Sequence, residues 1–425
     1  MLHLQKKSIA LSLAVLATLF SACGSDDTTT STAATTTTIN GQLVDGYITG
    51  AHYTCADGKE ALTQENGTFS CDKLPISFRL GSIKLGEVAQ LPEDNHIFPQ
   101  DLVGVTRDDI NNSEVLAMAQ LLQSLDSDNN PDNGIEIETA TVEKITLSED
   151  FDAQNLDTYL SNADVSKVSQ EDAHKHLEKT THTVETIEKL DLPKNIEDIL
   201  NTPLSTLSDD VKNHIAYMGN EERLAYDVYN ALFTLFPALK TLENIPQKSE
   251  IKHIAAVKGL VAKYSLESEL LSIRDINNTT LSADSDVESV AGVYDIEKIQ
   301  NLYNTLISIG ETSQTAALQV GCMVEVTDID DLDIAIVDAT DANATDVVAT
   351  FEFLRDGSYS HYWAFDNSLK TAGVTDGCCS AGDLYCKTEA QYPNLEKGSD
   401  EGHQEQQKGK GEGDGSGEQK HKGRG

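Results

Sequence analysis

The chain has 425 residues, 39% of them hydrophobic and 24% charged, enough for two or three domains around at least one sizeable core. Its 70 acidic residues outnumber 31 basic ones, a formal net charge of -39 at pH 7. That balance repels a phosphate backbone, so no nucleic-acid partner is expected.

At the N-terminus Lys6 and Lys7 precede the apolar run IALSLAVLATLF, and SACGS follows. The run is too short to span a membrane and has the shape of a secretory signal. Ser21 and Ala22 before Cys23 resemble the processing site of a bacterial lipoprotein, with Cys23 as the lipidated first residue. Phe20 is a less usual choice three positions before the cysteine, and an ordinary signal peptide is the other reading. Residues 1–22 are therefore expected to be a lipoprotein signal peptide and 23–38 a flexible Ser/Thr tether. The mature protein is expected in the bacterial cell envelope, with the membrane as partner through its lipid anchor. Gly24 and Ser25 follow the cysteine, with no Asp directly after it, which favours the outer membrane.

Export places the remaining cysteines in an oxidising compartment. Cys55 and Cys71 are expected to form a local disulfide. Cys378, Cys379 and Cys386 lack the paired C-x-x-C spacing of a zinc ribbon or rubredoxin, so a disulfide is expected in this segment, 371–393. The pairing among these three and Cys322 stays open.

Residues 39–110 carry short alternating runs, INGQLVDG, GAHYTCAD and NGTFSC, punctuated by Gly, Asn and Asp. They predict a small β-rich, sandwich-like module, similar to carboxypeptidase-regulatory-like modules. Residues 111–204 read as an acidic, partly helical connector, with Ser113 as the expected cap of EVLAMAQLLQSL. The stretch DSDNNPDNG, 126–134, offers Asp126, Asp128, Asn130 and Asp132 to calcium. Pro131 and Ile137 stand where an EF-hand loop needs Gly and Glu, so a plain turn is expected. The last segment, 394–425, has no apolar side chain beyond its start and is expected to be disordered.

Residues 205–370 turn strongly helical, and four segments show three-four spacing. One stripe is Ile215, Met218, Glu222, Ala225, Tyr229, Leu232 and Phe236; a second is Glu250, His253, Val257, Leu260 and Tyr264. The third is Leu318, Gly321, Glu325, Asp328, Leu332 and Ala335; the fourth is Val347, Phe351, Leu354, Ser358, His361 and Phe365. Each stripe is apolar except where ligand-type side chains interrupt it. A buried acid is costly unless something pairs with it. Four carboxylates (Glu222, Glu250, Glu325 and Asp328) with two imidazoles (His253 and His361) suit a pair of hard cations, whose charge makes the burial tolerable.

The blocks EERLAYDVY, SEIKH, ALQVGCMVEVTDIDDL and GSYSHYWAF resemble the ferritin-like family catalogued as domain of unknown function 2202, akin to rubrerythrin and ferritin. The resemblance covers 207–370 and implies a mainly α fold, a ferritin-like four-helix bundle behind the β-rich module. In rubrerythrin-type bundles the first-helix ligand Glu is followed by Ala three residues on and Tyr seven on. Glu222, Ala225 and Tyr229 match, which selects Glu222 over Glu221. Glu-x-x-His is matched by Glu250 and His253, and the two third-helix carboxylates by Glu325 and Asp328. The fourth helix departs from the pattern: Ser358 stands where Glu is expected, before His361.

The resemblance implies two iron ions as cofactor, with manganese as the alternative, and oxidation of Fe(II) by dioxygen or peroxide. Glu250 with His253 is expected on one ion and Glu325 or Asp328 with His361 on the other, Glu222 being terminal or bridging. No C-x-x-C module supplies electrons, so peroxide reduction would call on an external electron donor. The alternative is a non-catalytic surface lipoprotein whose bundle is a structural or partner-binding scaffold. Oligomeric state is left open.

Overall fold

The structure is a computed structural model that describes residues 38–147, 150–266 and 291–394. The expected signal peptide with Cys23, the expected tether apart from residue 38 and the expected tail apart from residue 394 lie outside the described residues. Among the described residues no helix is long and apolar enough to cross a membrane.

The N-terminal region is β-rich, with strands β1 (Ile39–Leu43), β2 (Ile48–Thr49), β3 (His52–Cys55), β4 (Glu60–Leu62), β5 (Thr68–Cys71), β6 (Ile76–Leu80), β7 (Ile83–Val88) and β8 (His96–Ile97). Alternation builds them: Tyr53 and Cys55 point inward from β3, and Ile76, Phe78 and Leu80 from β6. One sheet runs β5-β1-β8 and another β4-β3-β6-β7. Both contribute to one core, in which the Phe69 and Phe78 rings lie 5.3 Å apart. Cys55 and Cys71 are disulfide-bonded and tie β3 to β5 across the two sheets.

The chain continues through α1 (Pro99–Val103), α2 (Ser113–Ser124), β9 (Ile135–Glu136), which pairs parallel with β2, α3 (Thr139–Val142) and α4 (Leu156–Ala163). This stretch, part of the expected connector, packs into the β-rich core: Met118, Leu121 and Leu122 of α2 and Tyr159 and Leu160 of α4 are buried there. Each such leucine contributes about 1.5–3 kcal/mol through its burial. The cap of α2 is Asn112, whose side chain accepts from the backbone N–H groups of Glu114 and Val115, one residue earlier than the sequence suggested. In the 126–134 loop Asp126 accepts from the Asn130 and Glu136 amides, and Asp128 accepts from the Asn130 amide and the Asn133 side chain.

The helical region follows: α5 (Gln170–Glu188), α6 (Lys194–Leu200), α7 (Asp209–Leu235), α8 (Thr241–Ile245), α9 (Ile251–Tyr264), α10 (Glu297–Gly310), α11 (Gln314–Asp341) and α12 (Thr345–Thr371). Helices α7, α11 and α12 run 27, 28 and 27 residues, roughly 40 Å each at 1.5 Å per residue. Ser208 and Ser313 cap α7 and α11 by accepting the amides of Val211 and Ala316. α12 returns along α11 through a tight turn at Asn343, while α9 packs on α7 and α12 and α10 lies over α7 and α11.

Two apolar clusters fill this region. One gathers Ile215 and Met218, Val257 and Leu260, Leu332 and Ala335, and Phe351 and Leu354; the other gathers Val228 and Leu232, Leu318 and Cys322, and Tyr362 and Phe365. Between them, at one level on each helix, lies a belt of polar side chains. Lys263 ends α9 with a buried ion pair to Asp346 at 2.6 Å, and the same ammonium donates to the Thr202 hydroxyl. The Cys322–Cys378 disulfide fixes the segment after α12 against α11, and Cys379–Cys386 closes a small ring within that segment.

Candidate metal centre

The polar belt contains all six ligand-type residues read from the stripes. Glu222 sits mid-way along α7, Glu325 and Asp328 on α11, His361 on α12, and Glu250 and His253 at the start of α9; each is 6% exposed or less. Glu250 is reached through a π-helical turn, Pro246–Glu250, a feature the three-four spacing does not reveal. Such wide turns are rare and frequent at functional sites. α9 then carries His253 one turn further, so both groups face Glu222.

Two groups of three residues have ligand atoms lying mutually within 4.8 Å: Glu222, Glu250 and His253, and Glu250, Glu325 and His361. His253 Nδ1 is 3.0 Å from Glu222 Oε2 and 3.2 Å from Glu250 Oε2. His361 Nδ1 is 3.2 Å from Glu250 Oε1 and 3.5 Å from Glu325 Oε2. Glu250 thus offers one oxygen to each imidazole. It is Glu250 that lies between the two imidazoles, while Glu222, which the sequence left open as terminal or bridging, contacts His253 alone of the two. The two rings stack with centroids 5.4 Å apart.

Asp328 belongs to neither group. It stands alongside, accepting a hydrogen bond from the Ser358 hydroxyl at 2.8 Å, so the residue that replaces the expected Glu serves as a donor. Tyr229 donates to Glu325. Phe353 meets His253 edge-on, and Gly357 leaves room for the ring: a Cβ there would lie 2.3 Å from Nε2. The His253 ring is thereby held with Nδ1 toward the acids. Sequence reasoning missed both Phe353 and Gly357, which lie off the counted stripe.

The electrostatics are those of an unbalanced cluster. Among the described residues, no Lys or Arg forms an ion pair with any of these four carboxylates. Burial pushes Glu222 up to about 7 and raises Glu325 and, well above the usual range, Asp328, where the charges of Glu222 and Glu221 add to it. Burial would raise Glu250 too, but the imidazoles, His361 foremost, hold it below the ordinary carboxylate range. Burial disfavours the imidazolium forms, yet Glu222 and Glu250 lift His253 well above its usual value, and Glu250 and Glu325 lift His361 to about 9.

Close approach still leaves several of these polar atoms unsatisfied. Both oxygens of Glu250, Oε1 of Glu222, Oδ1 of Asp328 and Nδ1 of His361 are buried without a hydrogen-bond partner. Buried polar atoms left in this way are costly. Hard oxygen and imidazole donors gathered in this way fit divalent cations of the iron and manganese type.

Glu221, the neighbour of Glu222, is buried as well. Chosen against in favour of Glu222 and placed off the inward stripe, it is nevertheless 3% exposed and buried beside Asp331. The acidic run DIDDLD on α11 was the available signal.

The pattern of an uncharacterized protein domain, DUF2202, matches residues 211–378, which include all six ligand-type positions. Uncharacterized protein MJ0754 of Methanocaldococcus jannaschii is 32% identical over 178 residues, spanning 42% of this chain and 85% of that protein. The crystal structure of hypothetical protein MJ0754 from Methanococcus jannaschii DSM 2661 is similar at 31% identity, covering 40% of this chain and 86% of that one, with a TM-score of 0.34.

Proposed function

The chain belongs to the family of the uncharacterized domain DUF2202, and from that premise we propose that α7, α9, α11 and α12 form a ferritin-like four-helix bundle holding two iron ions, with manganese as the alternative. Glu222 and His253 would hold one ion, Glu325 and His361 the other, and Glu250 both. Asp328, kept in place by Ser358, is the reserve carboxylate on the side where the family pattern has lost its Glu. The observation that carries this reading is the set of buried, unpartnered donor atoms converging from four helices with, among the described residues, no Lys or Arg paired to them.

Bound Fe(II) would supply the electrons for reducing dioxygen or peroxide. The chain's own residues do the rest. The two apolar clusters exclude water above and below the belt. Gly357 and Phe353 orient His253, and the Tyr229 hydroxyl orients Glu325. The imidazoles and raised carboxyls would give up their protons to bind the cations. We place the protein in the cell envelope, lipid-anchored through Cys23 and most simply in the outer membrane, with an external electron donor where peroxide is the oxidant.

The test is metal analysis of protein exported to the periplasm, followed by oxygen consumption on adding Fe(II). About two ions per chain and Fe(II)-dependent oxygen uptake are expected, both reduced in His253→Ala. A wild-type protein with no metal and no oxygen uptake would leave the bundle as a scaffold.

A further inference from the structure

Two disulfides, one buried and one open to solvent, stand against the helices that carry Glu325 and His361. Cys322 lies three residues before Glu325 on α11, about 4.5 Å along the helix axis. Its bond to Cys378 is fully buried, and the Cys378 sulfur is 3.7 Å from the backbone carbonyl of Tyr362, the neighbour of His361 on α12. The Cys378 amide donates to the Asp366 carboxylate at 2.9 Å, one turn further along α12. The inner disulfide thus spans the two helices at the turn next to the belt.

Cys379 follows directly and is half-buried, while its partner Cys386 is exposed. Tyr362 holds this outer disulfide as well. Its hydroxyl donates to the Tyr385 carbonyl at 2.8 Å and accepts from the Lys387 amide at 2.9 Å, the residues on either side of Cys386. The Cα atoms of Cys379 and Cys386 are 4.1 Å apart. Consecutive Cα atoms are about 3.8 Å apart, so Cys386 lies within about 8 Å of Cys378, a small shift from bonding range. Attack on a disulfide needs access to sulfur. The inner bond has none, and the outer bond beside it supplies it.

We propose that this clasp is the electron entry of the centre, taking two electrons at a time from a dithiol reductant. The inference rests on the di-cation reading above. A thiolate of the reductant attacks the exposed Cys386 sulfur and releases Cys379; the reductant's second thiol then releases Cys386 and leaves the reductant as a disulfide. Cys386 next attacks Cys378, releasing Cys322, and Cys379 attacks Cys386, releasing Cys378. Each exchange forms one S–S bond, breaks one and leaves a thiolate that takes up a proton. The outer disulfide is restored, and the electron pair now resides in the thiols of Cys322 and Cys378. Those two thiols and one peroxide give back the disulfide and two waters.

The experiment uses the exported full chain, dithiothreitol as the dithiol, and alkylation with peptide mass mapping to locate thiols over time. In the metal-free chain, thiols are expected first at Cys379 and Cys386 and then at Cys322 and Cys378. The double variant Cys379→Ser, Cys386→Ser should reduce Cys322–Cys378 at least about tenfold more slowly. Tyr362→Phe, which loses the hydroxyl flanking Cys386, should leave outer reduction unchanged and slow only the transfer inward. Thiols confined to Cys379 and Cys386, or wild-type inner reduction in the double variant, would overturn the entry and leave the clasp as a brace. Hydrogen peroxide is then added to the reduced chain with and without Fe(II). Cys322–Cys378 should re-form about tenfold faster with Fe(II) bound. Equal rates in a chain that does bind iron overturn the entry alone. A chain that binds no iron overturns the centre, and the entry with it.

Discussion

The imidazole of His253 rests on the backbone of Gly357 so closely that a methyl group there would lie 2.3 Å from Nε2. The contact joins α9 to α12 through a position that only glycine fills without displacement. Gly357→Ala is expected to push the ring off its acids and weaken metal binding about 10–100-fold, as loss of an orienting contact does. Overpacking should cost about 1–3 kcal/mol as well. Metal titration of the folded variant beside its urea denaturation separates the two effects, and unchanged affinity would count against Nδ1 as the ligand atom.

Glu250 contacts both imidazoles, one with each oxygen, whereas Glu222 and Glu325 each serve one. Glu250→Gln should therefore lose both ions, while Glu222→Gln and Glu325→Gln each retain one. Metal-to-protein ratios by elemental analysis decide this. Equal losses in all three variants would mean that Glu250 is not shared.

The metal-free protein should lose stability as pH rises. Glu222 moves from 4.5 to about 7 on folding and His361 from 6.5 to about 9, so the folded state holds more protons across both intervals. A surplus of bound protons in the folded state makes stability fall with increasing pH. Glu250 is shifted the other way, but its effect is confined below 4.5. Melting temperature should drop by roughly 3–10 °C between pH 5 and 9. Metal-loaded protein should show a much flatter profile, since the ions replace those protons. A metal-free profile that rises over this range would contradict the arrangement.

Lys263 and Asp346 are buried together, Asp346 also accepting from Tyr264 and Ser205. Lys263→Met should cost about 3–5 kcal/mol by stranding the carboxylate. The double variant Lys263→Met, Asp346→Leu should recover most of that loss, measured as denaturation midpoints in urea.

The inward faces of the long helices were legible because apolar burial repeats every three to four residues, and acids inside that repeat stand out. The same spacing carried Ser358 to the interior. What it could not carry was information from a fifth helix. α10 was not separately read in the sequence, and it covers the face of α7 and α11 on which Glu221 and Asp331 meet. An isolated α7 would turn Glu221 toward solvent. The π turn before Glu250 was likewise hidden, since it rests on backbone geometry and not on residue pattern. The 111–163 stretch read as connector because its surface is acidic; Met118, Leu122 and Tyr159 bury their apolar side against strands too far away in sequence for local pattern to register.

Cys378 and Cys379 are neighbours, yet each has a different partner. The Cys379–Cys386 ring spans a separation of 7 and can close in a chain with no tertiary structure, whereas Cys322–Cys378, at 56, needs α11 and α12 already docked. During oxidation Cys386 meets two adjacent thiols on nearly equal terms. A premature bond to Cys378 would leave Cys322 on α11 without its partner, reparable only by thiol–disulfide exchange. Correct assembly of this clasp thus calls for a compartment that reshuffles disulfides as well as one that forms them.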